Sequence, residues 1–163
     1  MGVSAAGAYV LFPYVWGAGI SSLTACVSGP VTATYANQAL SDWNASATNF
    51  GYTGSCSDPR IQFFDLNQNS GLEGITFNTT VLSTMVSSKI YLNYTNWNNN
   101  NFAPGARRSV ANHELGHALT IDHSNYGYAL MNPNTCFGGT TRWCGYGIEI
   151  AVGDDVQAIN SRY

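Results

Sequence analysis

The chain contains three histidines, and all of them fall inside one eleven-residue window as His113, His117 and His123. Residues four apart on a helix share one face, so the imidazoles of His113 and His117 can reach a single ion. Glu114 stands beside the first of them, where it can hold a water at that ion. The pattern is H-E-x-x-H, whose chemistry is zinc-dependent hydrolysis with the glutamate as general base. His123 follows six residues after His117, once Thr120 and Ile121 have carried the chain out of the helix. Three neutral nitrogens leave one tetrahedral position open, the arrangement of a catalytic site rather than a structural one. Asp122 is the rival for third ligand, and its spacing fits less well. Unrelated core or surface histidines are the plain alternative, and they do not account for the clustering.

The ligands need a helix, and the sequence predicts one from about Pro104 through Leu119, with the proline suited to its first turn. A longer helix is expected over 31–49, where Val31, Tyr35, Ala39, Leu40, Trp43 and Ala47 share one face and Gly51 is a plausible stop. A last helix is expected over 151–161, opening near Asp154 and Asp155, acids that suit a positive helix N-terminus. Extended segments are expected within 8–16 and over 60–65, 74–79 and 89–95, each rich in branched or aromatic residues or Thr. From 125 to 147 Gly, Asn and Pro dominate and no regular element is expected. Strands interleaved with helices make this an α/β or α+β domain.

A length of 163 residues is one domain with an ordinary core. Charged residues are only 9 % of the chain, against a usual value of about 25 %, and the net charge is −3. The six basic residues are scattered, which excludes a cationic footprint for nucleic acid or anionic lipid. No stretch reads as a membrane span. Four cysteines, Cys26, Cys56, Cys136 and Cys144, allow three pairings, of which Cys26–Cys56 with Cys136–Cys144 is the simplest. A four-cysteine zinc site lacks any close C-x-x-C pair. Even cysteines, few charges and abundant Asn and Thr point to a secreted, extracellular protein. Arg107 and Arg108 read as a solvated patch, and sequons occur at Asn44, Asn78 and Asn93.

Residues 113–131, HELGHALTIDHSNYGYALM, with Asn132 and Pro133 after them, resemble the metzincin metalloproteases, and more closely their matrixin branch. The third histidine followed by Ser124 matches that branch. Ala129, Leu130, Met131 and Pro133 match its Met-turn, an apolar floor beneath the zinc. Residues 31–43, 89–93 and 154–163 are similar to the family's first helix, last strand and closing helix. The resemblance implies a mixed, mostly parallel five-stranded twisted sheet with an active-site helix, a second long helix and a C-terminal helix. One catalytic domain is expected, with an upper part over about 1–123 and a small irregular lower part over about 124–163. The family's structural zinc needs further histidines, so one zinc is expected. Thr120 departs from the pattern: it stands where the family has glycine, at a sharp turn where a β-branched residue at positive φ is strained. Either the turn is built differently or this position costs stability.

By the same resemblance, residues Gly74, Ile75, Thr76, Phe77 and Asn78 form an edge strand above the zinc to which a peptide adds; an internal strand is the other reading. Pro133, Asn134 and Thr135 line the pocket for the side chain just after the scissile bond, stiffened by a Cys136–Cys144 bridge. In the matrixins a pair equivalent to Asp154 and Asp155 braces the site from below. Residues 65–71 with Glu73 offer oxygens at alternating positions, as a calcium loop does, and read equally as an Asp/Asn/Gly turn. The expected activity is that of a monomeric zinc endopeptidase acting on polypeptides. A non-catalytic binding module on the same scaffold is the alternative from another class, for which Thr120 speaks and Glu114 does not. A zinc amidohydrolase acting on non-protein amides is a third reading.

Overall fold

Along Ile61–Leu66, Ile61 and Phe63 are fully buried while their neighbours are half-exposed, the period-two pattern of a strand packed on one face. In the computed structural model, which describes residues 9–17, 19–137 and 140–163, this strand is the middle of the sheet. In chain order the elements are β1 (Val10–Leu11), β2 (Val15–Trp16), β3 (Leu23–Val27), α1 (Ala33–Ala45), β4 (Tyr52–Gly54), β5 (Ile61–Leu66), β6 (Gly74–Val81), β7 (Thr84–Asn93), α2 (Tyr94–Asn99), α3 (Pro104–Ala118), β8 (Ile121–Asp122) and α4 (Gly153–Asn160).

The sheet is mixed and mostly parallel, as expected, with five strands in the order β6-β7-β5-β3-β4, and the two-residue β2 adds a sixth beside the start of β7. All pairings are parallel except β6 against β7, where Gly74 faces Leu92 and the register slips between Thr79 and Thr80. Strand β6 pairs with β7 alone, so among the described residues its other edge carries no strand. One face of the sheet, with Ile61, Phe63, Met85, Ile90 and Leu92, packs into a core with Trp43 of α1 and Val110 and Leu115 of α3. On the other face, Phe64 stacks on Tyr91, and Phe77 meets Tyr91 edge-on.

Several elements differ from the sequence expectation, each for a physical reason. The strand expected within 8–16 is two short strands split at Pro13, which has no N–H for a ladder; Ala8 lies outside the described residues. Strands β3 and β4 were not expected: β3 is short, with mostly small residues and no aromatic, yet lies between β4 and β5. The strand expected at 89–95 begins earlier and ends at Asn93, whose side chain turns back to accept the Asn96 N–H and start α2. The helix expected over 31–49 is shorter at both ends. The turn before it is tied to the end of β5, the N–H groups of Val31 and Thr32 donating to Asp65, each at 2.8 Å, and Ser46 closes its C-terminus on Trp43 O. Val31 is therefore exposed, not part of the buried face.

Arg108 is no solvated patch: it forms ion pairs with Asp42 of α1 at 2.6 Å and with Glu149 at 3.1 Å. Arg107 donates to Phe102 O and to Asn98. The disulfides join Cys26 to Cys56, tying β3 to the turn after β4, and Cys136 to Cys144 in the irregular stretch between β8 and α4. No helix among the described residues is long and apolar enough to cross a membrane.

Candidate metal centre and peptide cleft

Helix α3 is unusual in being buried nearly all round, because α1 lies along one side and β6 and β7 along another. Such burial fixes side chains that a surface helix would leave free. His113 is buried, and its Nδ1 lies 2.9 Å from Leu130 O. His117 Nδ1 lies 2.8 Å from Ile121 O. A ring nitrogen that donates to a carbonyl leaves the other nitrogen as a lone pair, so both Nε2 atoms are set as acceptors. His123 enters from just beyond β8, which pairs antiparallel with β1 through Val10↔Asp122 and Leu11↔Ile121.

One nitrogen from each histidine lies within 4.8 Å of the others, the only such group of three among the described residues. The Nε2 atoms of His117 and His123 are 3.2 Å apart. With the first a lone pair by its hydrogen bond, the His123 nitrogen meets it either as a donor or, with a cation between them, as a second ligand. Burial, with the Arg142 charge behind it, holds His113 well below the usual imidazole range, and burial lowers His117 and His123 too. All three rings are thus neutral at neutral pH, the form that binds metal. The residues fit a zinc ion, with His123 exposed at the open side. Asp122 is not a fourth partner; its carboxylate accepts the His123 backbone N–H at 2.7 Å.

Glu114 is buried beside the triad, and its Oε2 accepts the Thr76 hydroxyl at 2.7 Å. Burial pushes its carboxyl up to about 7, against the opposing pull of the Thr76 hydrogen bond and the Arg142 charge. Strand β6 crosses directly over it: Thr76 also donates to Glu114 O, and Asn78 donates to His117 O. A Cβ on Gly74 would come within 2.7 Å of Glu114 Cγ, so the strand can pass this close only with glycine there. With those contacts Asn78 is unsuited to carry a glycan, as is the fully buried Asn93, whereas Asn44 is exposed.

Beneath the triad Met131 is fully buried and lies against Gly116 of α3, where no Cβ could fit. The turn that carries it is held from two sides. Asp155 accepts the N–H groups of Leu130 and Met131 at 3.0 and 3.1 Å, while Leu130 O receives His113. Asp155 also accepts the Val152 N–H at 3.0 Å, so one carboxylate both starts α4 and braces the turn.

The turn between the second and third histidines keeps the conformation that glycine would favour, with Thr120 at φ 77°. Its fully buried side chain is gripped: Oγ1 lies 3.2 Å from the Tyr163 hydroxyl and 3.3 Å from Arg162 Nη1. The same guanidinium nitrogen donates to Phe12 O and Tyr14 O, and the Tyr163 hydroxyl accepts the Trp16 N–H. Sequence reasoning noticed the strain at Thr120 but missed the residues that hold it. Nothing in the spacing of Arg162 and Tyr163 marks them.

Two cavities flank the triad along β6. One, of about 390 Å³, runs beside Thr76 and Asn78 towards Phe12 and Tyr14. The other, of about 300 Å³, lies between Gly74, His113 and the wall formed by Pro133 and Asn134. Thr135 sits behind that wall, buried, its hydroxyl donating to Glu73. Oxygens of 65–71 are used within the fold: Asp65 holds the turn before α1 and Asn67 accepts the Thr95 hydroxyl.

A sheet with one antiparallel edge strand above a helix bearing two histidines, a third histidine past a tight turn, and a methionine floor define a metzincin-type catalytic domain. The family model described as Matrixin matches residues 31–163, and the chain belongs to the matrixin family, whose members are zinc metalloendopeptidases. No curated protein matches the chain.

Proposed function

We propose that this chain is a secreted zinc endopeptidase in which His113, His117 and His123 hold one zinc and Glu114 is the general base. The observation that carries this reading is the position of Glu114: buried, beside three neutral imidazoles, under a strand edge that no other strand occupies among the described residues. When bound, zinc supplies Lewis acidity towards a carbonyl oxygen and a water in the cleft. A polypeptide substrate adds to the free edge of β6, whose backbone groups orient it. Glu114 takes a proton from the attacking water and passes it to the leaving amine, a shuttle for which its buried place beside the triad suits it. Thr76 keeps the carboxylate on the side facing the cleft. The paired cysteines support an extracellular setting.

The non-catalytic module loses its main support, because the turn at Thr120 is retained rather than rebuilt. A long cleft along a strand edge also suits a peptide better than a small amide.

Casein digestion by the wild type beside Glu114→Ala tests the proposal. We expect the variant to lose about 10³-fold in rate or more while still binding one zinc. Equal silence from both, with zinc bound, would support the binding module instead. Equal cleavage by both would remove Glu114 from the mechanism.

A further inference from the structure

The cavity beside the triad has a charged floor. Arg142, which lines it, is buried to 1 % exposure in a chain with few charges. Its Nε donates to Ser109 on α3 at 3.0 Å and its Nη1 to Asn132 O at 2.8 Å, so two of its nitrogens are fixed by the fold. Its Nη2 has no hydrogen-bond acceptor among the described residues; it forms a loose ion pair with Glu73 Oε2, 3.7 Å away. Glu73 lines the same cavity and gives that oxygen to Thr135, so its other oxygen also has no protein donor among the described residues.

A side chain entering this cavity therefore meets an N–H donor and a carboxylate oxygen side by side. An apolar side chain would strip water from both and replace nothing, the costliest outcome for buried charged groups. A carboxylate would satisfy Nη2 but bring a third acid next to Glu73 and Glu114. A cation would satisfy Glu73 but face Arg142. A carboxamide answers both at once, its oxygen accepting from Arg142 and its amide nitrogen donating to Glu73, with no added charge. Resting on the peptidase reading, which places this cavity just after the scissile bond, we propose that the enzyme selects substrates with glutamine or asparagine at that position and that Arg142 and Glu73 determine the choice.

The test uses four peptides identical except for Gln, Leu, Glu or Lys after the scissile bond. Beside them go two peptidyl hydroxamates that differ in whether a carboxamide or an isobutyl group enters the cavity, titrated calorimetrically into the zinc-loaded protein. We expect kcat/KM for the Gln peptide to exceed each of the others by about tenfold or more, and the carboxamide hydroxamate to bind tighter by a similar factor. In Glu73→Gln the Glu peptide should gain about tenfold relative to the Gln peptide, because the repelling carboxylate is gone. Should that variant fail to fold, the wild-type comparisons decide alone.

A Leu peptide cut as well as the Gln peptide overturns the proposal. So does a preference for Glu, in which Arg142 alone would rule, or for Lys, in which Glu73 would. If no peptide is cut yet the carboxamide hydroxamate binds tighter, the pocket preference stands and the endopeptidase reading falls. If none is cut and the two hydroxamates bind alike, the proposal falls too.

Discussion

At Thr120 a β-branched residue adopts a backbone conformation that only glycine takes up freely, and a hydroxyl contact to Tyr163 makes this tolerable. Two opposing effects can be separated by substitution. Thr120→Ala keeps the strain and loses the contact; Thr120→Gly loses the contact and removes the strain. Chemical denaturation should find the glycine variant more stable than the alanine variant by about 1 kcal/mol, the reverse of their order inside a helix. Asp155 offers a second test. Burial raises its carboxyl above the ordinary 3.8 despite three backbone N–H donors. The folded protein thus holds this proton more tightly than the unfolded chain does. The associated stability is full below the unfolded value and is lost as pH rises through the folded one. The stability difference between wild type and Asp155→Asn, measured with zinc saturating from about pH 4 to about pH 7, should therefore shift against the wild type as pH rises. A difference that grows with pH would contradict this assignment.

Elements show best what could be read in advance. Helix α3 was legible almost to the residue, because Pro104 marks its start and the histidine spacing is meaningful only on a helix. So were β5, β6 and α4. Strand β3 was not: burial among parallel neighbours lets Leu23, Ala25 and Cys26 serve without the aromatic signal of a half-exposed strand. The start of α1 lies later than its periodicity predicts because residues 31 and 32 are held in a turn by Asp65, from a strand more than thirty residues later. Within the site, the metal ligands and Glu114 followed from local spacing. Thr76 and Asp155 were reached through the family resemblance, as part of the edge strand and as one of the bracing acids; Arg142 acts across the fold and carries no local signature. The disulfides also belong to this scale. Cys26–Cys56 closes a separation of 30 residues, and replacing both cysteines by alanine should cost about 3–4 kcal/mol in the chain-entropy model. Cys136–Cys144 closes only 8, so its removal should cost about 2.5 kcal/mol, lowering thermal stability less. Its larger effect is expected on KM, because it holds the wall of the cavity.

For the whole molecule, the metal is a structural tie as well as a chemical tool. The triad joins α3 to the segment after β8, and His113 in turn holds the Met-turn through Leu130. A ligand bound only by the folded state stabilises it by mass action, about 4 kcal/mol at a thousandfold excess over its Kd. Chelation should therefore lower the Tm by several degrees, and zinc should restore it; an unchanged Tm would mean that the triad is empty at equilibrium.

The clamp that Arg162 and Tyr163 place on Thr120 and on residues 12–16 has a temporal consequence. During synthesis α3 can form with two histidines already in register, but the turn that aims the third is not locked until residues some forty positions beyond it have emerged. A growing chain would then carry the parts of a peptide-cutting centre without its working geometry.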